Sequence, residues 1–132
     1  MPSLSPEQTK ELATALSKFA ATISDYLNTH GDIDDADYTT LDNARVKLAT
    51  ISENLAITAA NVSFDDSKDA FDKLSSVTAD ANKAADALKA EVLALSKGVK
   101  IAAGVLALGL AFASGPGPVL TAIGNLRDAL SG

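Results

Sequence analysis

Few residues of this chain are of types that do chemistry. The one histidine, His30, stands alone, and there is no cysteine. A transition-metal centre or histidine-based acyl transfer would have to be built on one imidazole, without a thiol or a second ring. At the end of a helical run, His30 reads instead as a charge against the helix C-terminal dipole, or as a plain surface residue. Paired carboxylates, the equipment of acid–base catalysis, occur at Asp34-Asp35 and Asp65-Asp66. Both pairs sit at helix entries, where Asp is an ordinary cap. Gly115-Pro116-Gly117-Pro118 offers glycines of the kind that cradle phosphate, but no basic residue or Ser/Thr-capped helix follows in Walker fashion. A hairpin turn over these four residues explains them. The chain reads as a non-enzymatic protein with no catalytic residue, no cofactor and no evident small-molecule substrate.

The acidic segment YLNTHGDIDDAD is worth one comparison, with the EF-hand calcium loop. Gly31 takes the glycine position and Ile33 the apolar one, with Asp34 and Asp37 at the ninth and twelfth. The leading ligand position holds Tyr26 and the fifth holds His30. A hard-oxygen site without its first carboxylate binds poorly, so Asp32, Asp34, Asp35 and Asp37 read as a solvated loop favouring a helix start. No metal is expected.

At 132 residues the chain is expected to form one domain over 1–132. Aromatics are only 5% and Trp is absent, while much of the apolar count is Ala, so long, closely packed helices are favoured over a thick core. Charge is unevenly placed. Residues 31–66 set Arg45 and Lys47 against eight acids, a balance as large as the whole chain's −6. Without a basic face or aromatic platforms, nucleic acid is not an expected partner. The opening MPSLSPEQTKELATAL shows no basic segment followed by an apolar run, so no signal peptide of the usual pattern is read there. The expected location is cytoplasmic, or outside by another route.

These residues must be positioned by helices, and four are expected, over about 5–29, 37–61, 65–114 and 118–131. Ser5, Pro6 and Gln8 make a capping-box start, and Leu12, Leu16, Phe19, Ile23 and Tyr26 step along one face. Gly31 follows as a stop. Asp34 or Asp37 caps the second helix, whose seam is Leu41, Ala44, Leu48, Ile51, Leu55, Thr58 and Val62. Ser63 or Asp65 caps the third, which carries Phe71, Leu74, Thr78, Ala81, Ala85, Leu88, Val92, Leu95 and Val99 at the same spacing. Gly98 is the one hint of a break, and the stripe continues through Ala102, Leu106 and Leu110. Pro118 opens the last helix, with Val119, Ile123, Leu126 and Leu130 on its face. The expected fold is an all-α, antiparallel up-down four-helix bundle with a long third helix and a C-terminal apolar hairpin.

The hairpin carries the functional question. Between Lys100 and Arg127 no side chain is charged. At 100° per residue Ile101, Val105, Leu108 and Phe112 form one narrow ridge, and Val99, Leu106 and Leu110 another nearly opposite. Ala103, Gly104, Ala107 and Ala111 line one flank between them; Ala102, Gly109 and Ala113 line the other. A helix apolar all round must be covered all round. A core helix is the ordinary reading, yet three further helices are expected to satisfy one ridge and leave the other. The missing cover would be lipid, or protein: a second copy or a partner's helix. Lys97, Lys100 and Arg127 could reach headgroups at the hairpin's mouth.

Long amphipathic helices joined to a Gly/Ala/Val/Leu-rich hairpin resemble the layout of the α-helical pore-forming toxins and, more loosely, the hydrophobic hairpin of the colicin pore domain. The resemblance covers residues 88–131 in composition and order. It implies that residues 99–119 are a membrane-entering tip, hidden in the soluble form and exposed by a conformational change. The expected function is membrane association of the pore-forming type. The candidate surface is Val99, Leu106 and Leu110 with Ile101, Val105, Leu108, Phe112, Val119, Leu120 and Ile123. The alternative is a soluble bundle that homo-oligomerises or binds a partner protein, as adaptor or immunity protein, through the same surface.

Overall fold

The computed structural model describes residues 3–132 and contains five helices: α1 (Pro6–Thr29), α2 (Asp35–Ala60), α3 (Ser67–Lys89), α4 (Leu95–Ala111) and α5 (Pro116–Ser131). The all-α class stands, with five helices where four were expected. An isolated antiparallel bridge pairs Ser3 with Ser63.

The first helix forms as its cap dictates. The Gln8 amide donates to Ser5 Oγ (3.1 Å) and the Ser5 amide donates to Gln8 Oε1 (2.9 Å), so two orphan donors are satisfied reciprocally. Leu12, Leu16, Phe19, Ile23 and Tyr26 are all buried, as their spacing requires. The α2 helix begins after Asp34, which makes no side-chain cap bond, so Asp35 and Asp37 in the first turn supply the favourable charge there. Its seam is buried at Leu41, Ala44, Leu48 and Leu55, with Ile51 half-buried against the core. The cap of α3 is Asp66, accepting from the Asp69 amide at 3.0 Å, and not Ser63 or Asp65.

The long third helix is interrupted. Spacing carried it from 65 to 114, but the chain turns at Ala90–Ala94. Two bonds close α3: the Glu91 amide donates to Leu88 O (3.0 Å) and the Val92 amide to Ala87 O (2.8 Å). That pair is the Schellman closure, and it puts Glu91 at φ 63, the left-handed position usually held by glycine. Val92, expected on the buried face, is 80% exposed. Gly98 does not end a helix; it lies in the first turns of α4, where Leu88 fills the space of the missing side chain. A Cβ there would stand 2.8 Å from Leu88 Cδ2.

The second turn also differs. It spans Phe112–Gly115, with Gly115 at φ 117, and α5 starts at Pro116. Pro116, Gly117 and Pro118 therefore form the first turn of α5 instead of the hairpin turn. Proline is tolerated there because first-turn amides have no intrahelical acceptor.

The helices close a ring. The α1 helix packs on α2 and α3, α2 on α4, α4 on α5, and α5 on α3, with α3 also touching α4. Ala15 O meets Asn82 Nδ2, Asp25 meets Lys89 and His30 meets Glu91, so α1 and α3 run in the same direction. Phe19, Ile23, Leu74, Ile101, Leu108 and Leu126 are among the core residues inside the ring.

Candidate functional site

The two ridges of α4 have different fates. Ile101, Val105, Leu108 and Phe112 are all buried in the core, joined there by Val119 and Ile123 of α5. Opposite them, Val99 and Leu106 are half-buried against the core's edge, while Leu110 is 49% exposed. Leu120 on α5 is 46% exposed.

The flanks explain how so few helices cover so much of α4. On one, Gly104 lets α5 approach: a Cβ there would lie 3.0 Å from Leu126 Cδ1 and 3.7 Å from Leu126 Cβ. On the other, Gly109 admits α2, with Ile51 Cγ2 and Cδ1 at 3.2 Å from the same virtual position. Small residues thus seat a neighbour on each flank, and the bulky ridge faces inward. Three sides are covered from within the chain. What remains outside is a strip of Ala103, Leu106, Ala107, Leu110 and Ala113, exposed except for half-buried Leu106 and uncharged throughout. On α5, Gly117 and Gly124 face open space.

The other candidate residues assemble only in part. His30 caps α1, its ring stacked on Tyr26 with centroids 4.2 Å apart. Its Nδ1 lies 2.8 Å from Thr29 Oγ1 and 3.1 Å from Tyr26 O, and its Nε2 lies 2.8 Å from Glu91 Oε1. The Glu91 contact raises the His30 pKa above its ordinary value, with partial desolvation opposing. Burial and the nearby carboxylates of Glu91, Asp32 and Asp37 raise that of Tyr26. Glu91 was not foreseen as a partner, because it is distant in sequence and glutamate gives no local signal of a left-handed turn. Among the described residues, no three His, Cys, Asp or Glu side chains converge on a possible metal position. No helix among them is long and apolar enough to cross a membrane.

Compared with family models, curated proteins and solved structures, the chain matches none.

Proposed function

We propose that this protein is a non-enzymatic helical bundle that acts at a membrane surface through its C-terminal hairpin, α4–α5. The observation that carries the reading is the outward strip of α4. It exposes Leu110 beside Ala103 and Ala107, without a charge between Lys100 and Arg127. The chain's net negative charge is concentrated in residues 31–66, outside the hairpin's own sequence, although α2 packs on α4 and Asp65 and Asp66 share a cleft with Pro116, Gly117 and Leu120 of α5. At 17 residues α4 rises about 26 Å, short of the roughly 30 Å hydrocarbon core, so the hairpin lies in the interface instead of spanning it. The strip makes first contact, and the buried ridge of Ile101, Val105, Leu108 and Phe112 follows only if the hairpin leaves α2 and α3.

Flotation with liposomes tests this, using neutral and anionic vesicles. The folded protein should rise with vesicles, and Leu110→Lys should remain at the bottom; a wild-type chain that stays down under every lipid condition ends the reading. A lock separates strip from release. Gly109→Cys with Ile51→Cys places a sulfur where Ile51 Cγ2 now lies, 3.2 Å from the new Cβ. A disulfide needs about 3 Å between those atoms. The oxidised form should still float but no longer leak vesicle contents.

The second reading keeps the same strip and covers it with a second copy or a partner protein. Leu106 and Leu110 alternating with Ala103 and Ala107 give the three-and-four spacing of a helix–helix seam. Light scattering that finds a stable dimer, dispersed by Leu110→Lys, together with absent flotation, would select it.

A further inference from the structure

We propose that the cleft between α3, the start of α4 and the end of α5 binds a phosphate-bearing anion, carried on a lipid headgroup or free. The cleft has a volume of about 510 Å³, and Lys83, Lys97 and Arg127 line it against a single acid, Asp80. Two other clefts show no such excess of positive charge, although Lys83 also lines the first of them. The α1–α3 groove balances Lys18 and Lys83 against Glu11 and Asp86, and the cleft at the start of α3 sets Lys73 among Asp65, Asp66 and Asp69. In a chain of net charge −6, one positive cleft is a departure from the general field.

Among the described residues, none of the three cations takes part in a salt bridge, although Arg45, Lys73 and Lys89 each do. Like charges gathered around one cleft repel, and an anion held between them removes that repulsion. The Arg127 guanidinium offers a planar fork for two phosphate oxygens, and the lysines add mobile point charges. The first turn of α4 contributes in the same sense, since it carries Lys97, holds no acid and has no side-chain cap at Ala94. The floor is apolar, with Leu93 and Leu130 half-buried and Ile101 buried. No aromatic ring lines the cleft, so a nucleobase would find nothing to stack on. An acyl-bearing phosphate, its head at the cations and its carbon chain along Leu93 and Leu130, suits both halves. Lys97 and Ile101 stand on the opposite side of α4 from Leu110. This site is therefore separate from the outward strip.

Amide NMR of the isotope-labelled full chain tests it with three probes: a short-chain phosphatidylglycerol below its micelle concentration, the phosphatidylcholine of the same chains, and inorganic phosphate. The expected result is saturable shifts at Leu93, Lys97 and Leu130 with phosphatidylglycerol. Affinity should fall at least about tenfold in Lys97→Glu/Arg127→Glu and fall with added salt, while Lys68→Glu leaves it unchanged. Tighter binding of phosphatidylglycerol than of phosphate makes the lipid headgroup the source; equal binding makes it the free anion, and either supports the site. Equal shifts with phosphatidylcholine overturn it, as do unchanged affinity in the folded double variant or no saturable shift with any probe.

Discussion

Glu91 Oε1 lies 2.8 Å from His30 Nε2, so the last residue of α1's cap is tied to the residue that turns α3 into α4. A second tie, Lys89 Nζ to Asp25 Oδ2 at 3.3 Å, lies beside it. The Lys89–Asp25 pair is exposed, the His30–Glu91 pair joins a half-buried ring to an exposed carboxylate, and each is individually weak. Their position matters more than their strength, because the Ala90–Ala94 loop is where the hairpin joins the rest of the chain.

The His30 contact makes stability depend on pH in a defined direction. Its folded-state pKa is raised, chiefly by the hydrogen bond with Glu91, above the unfolded value of 6.5. A raised pKa means that the folded state holds the proton more tightly. The contribution is fully present below pH 6.5 and is lost as pH rises through the folded-state pKa. In an NMR titration, His30 should titrate above a model imidazole, and Glu91→Gln should bring it back down. An unchanged His30 pKa in that variant would break the assignment.

Glu91→Gly separates backbone from side chain at the same position. A non-glycine residue at φ 63 carries about 1 kcal/mol of strain, which glycine relieves. The variant should melt higher than wild type at a pH above the raised folded-state pKa of His30, where the ring is neutral in both states. The gain should shrink near pH 5.5, where the lost partner matters. Equal gains at both pH values would mean that the His30–Glu91 contact adds nothing to the fold.

Gly109 tests the fit of α4 against α2. A methyl there would touch Ile51 at 3.2 Å and Leu48 at 3.4 Å, so those side chains must yield by a few tenths of an ångström. Helix propensity favours Ala over Gly by about 1 kcal/mol, which offsets the crowding and leaves Gly109→Ala near neutral. Gly109→Leu has no such room and should destabilise by about 1–3 kcal/mol. Urea unfolding of the pair measures both, and a neutral Leu variant would contradict the close approach of α2.

Much of this fold was legible because helical periodicity reports buried faces directly. The Ser5–Gln8 capping box and the Leu12–Tyr26 face follow from residue type and spacing alone. The break at Ala90–Ala94 was not legible. Leu88, Val92, Leu95 and Val99 continue a helical stripe through it, and the left-handed residue is a glutamate. What decides the turn is tertiary: Leu88 folding over Gly98, Leu93 reaching the core, and His30 receiving Glu91. The Gly-Pro-Gly-Pro run misled in the opposite sense, since prolines that end helices also begin them. In the hairpin, the two ridges could be read from sequence, but not the use of Gly104 and Gly109 to seat α5 and α2. That use narrows the uncovered surface from a whole ridge to the strip around Leu110.

The two ridges of α4 should therefore separate stability from binding. Leu108 is 1% exposed, and truncating it leaves a cavity among close-packed neighbours. Leu108→Ala should destabilise by about 2–5 kcal/mol. Leu110 faces outward, and Leu110→Ala should change stability by about 0.5 kcal/mol or less. Liposome flotation should respond in the reverse order. Leu110→Ala should lose vesicle binding while its melting curve stays near wild type; Leu108→Ala, while still folded, should bind as well as wild type or better, because a weakened core releases the hairpin more readily. If Leu110→Ala binds vesicles unchanged, the strip is not the contact surface. If Leu108→Ala loses binding while folded, the contact instead requires an intact hairpin packed as it stands in this bundle.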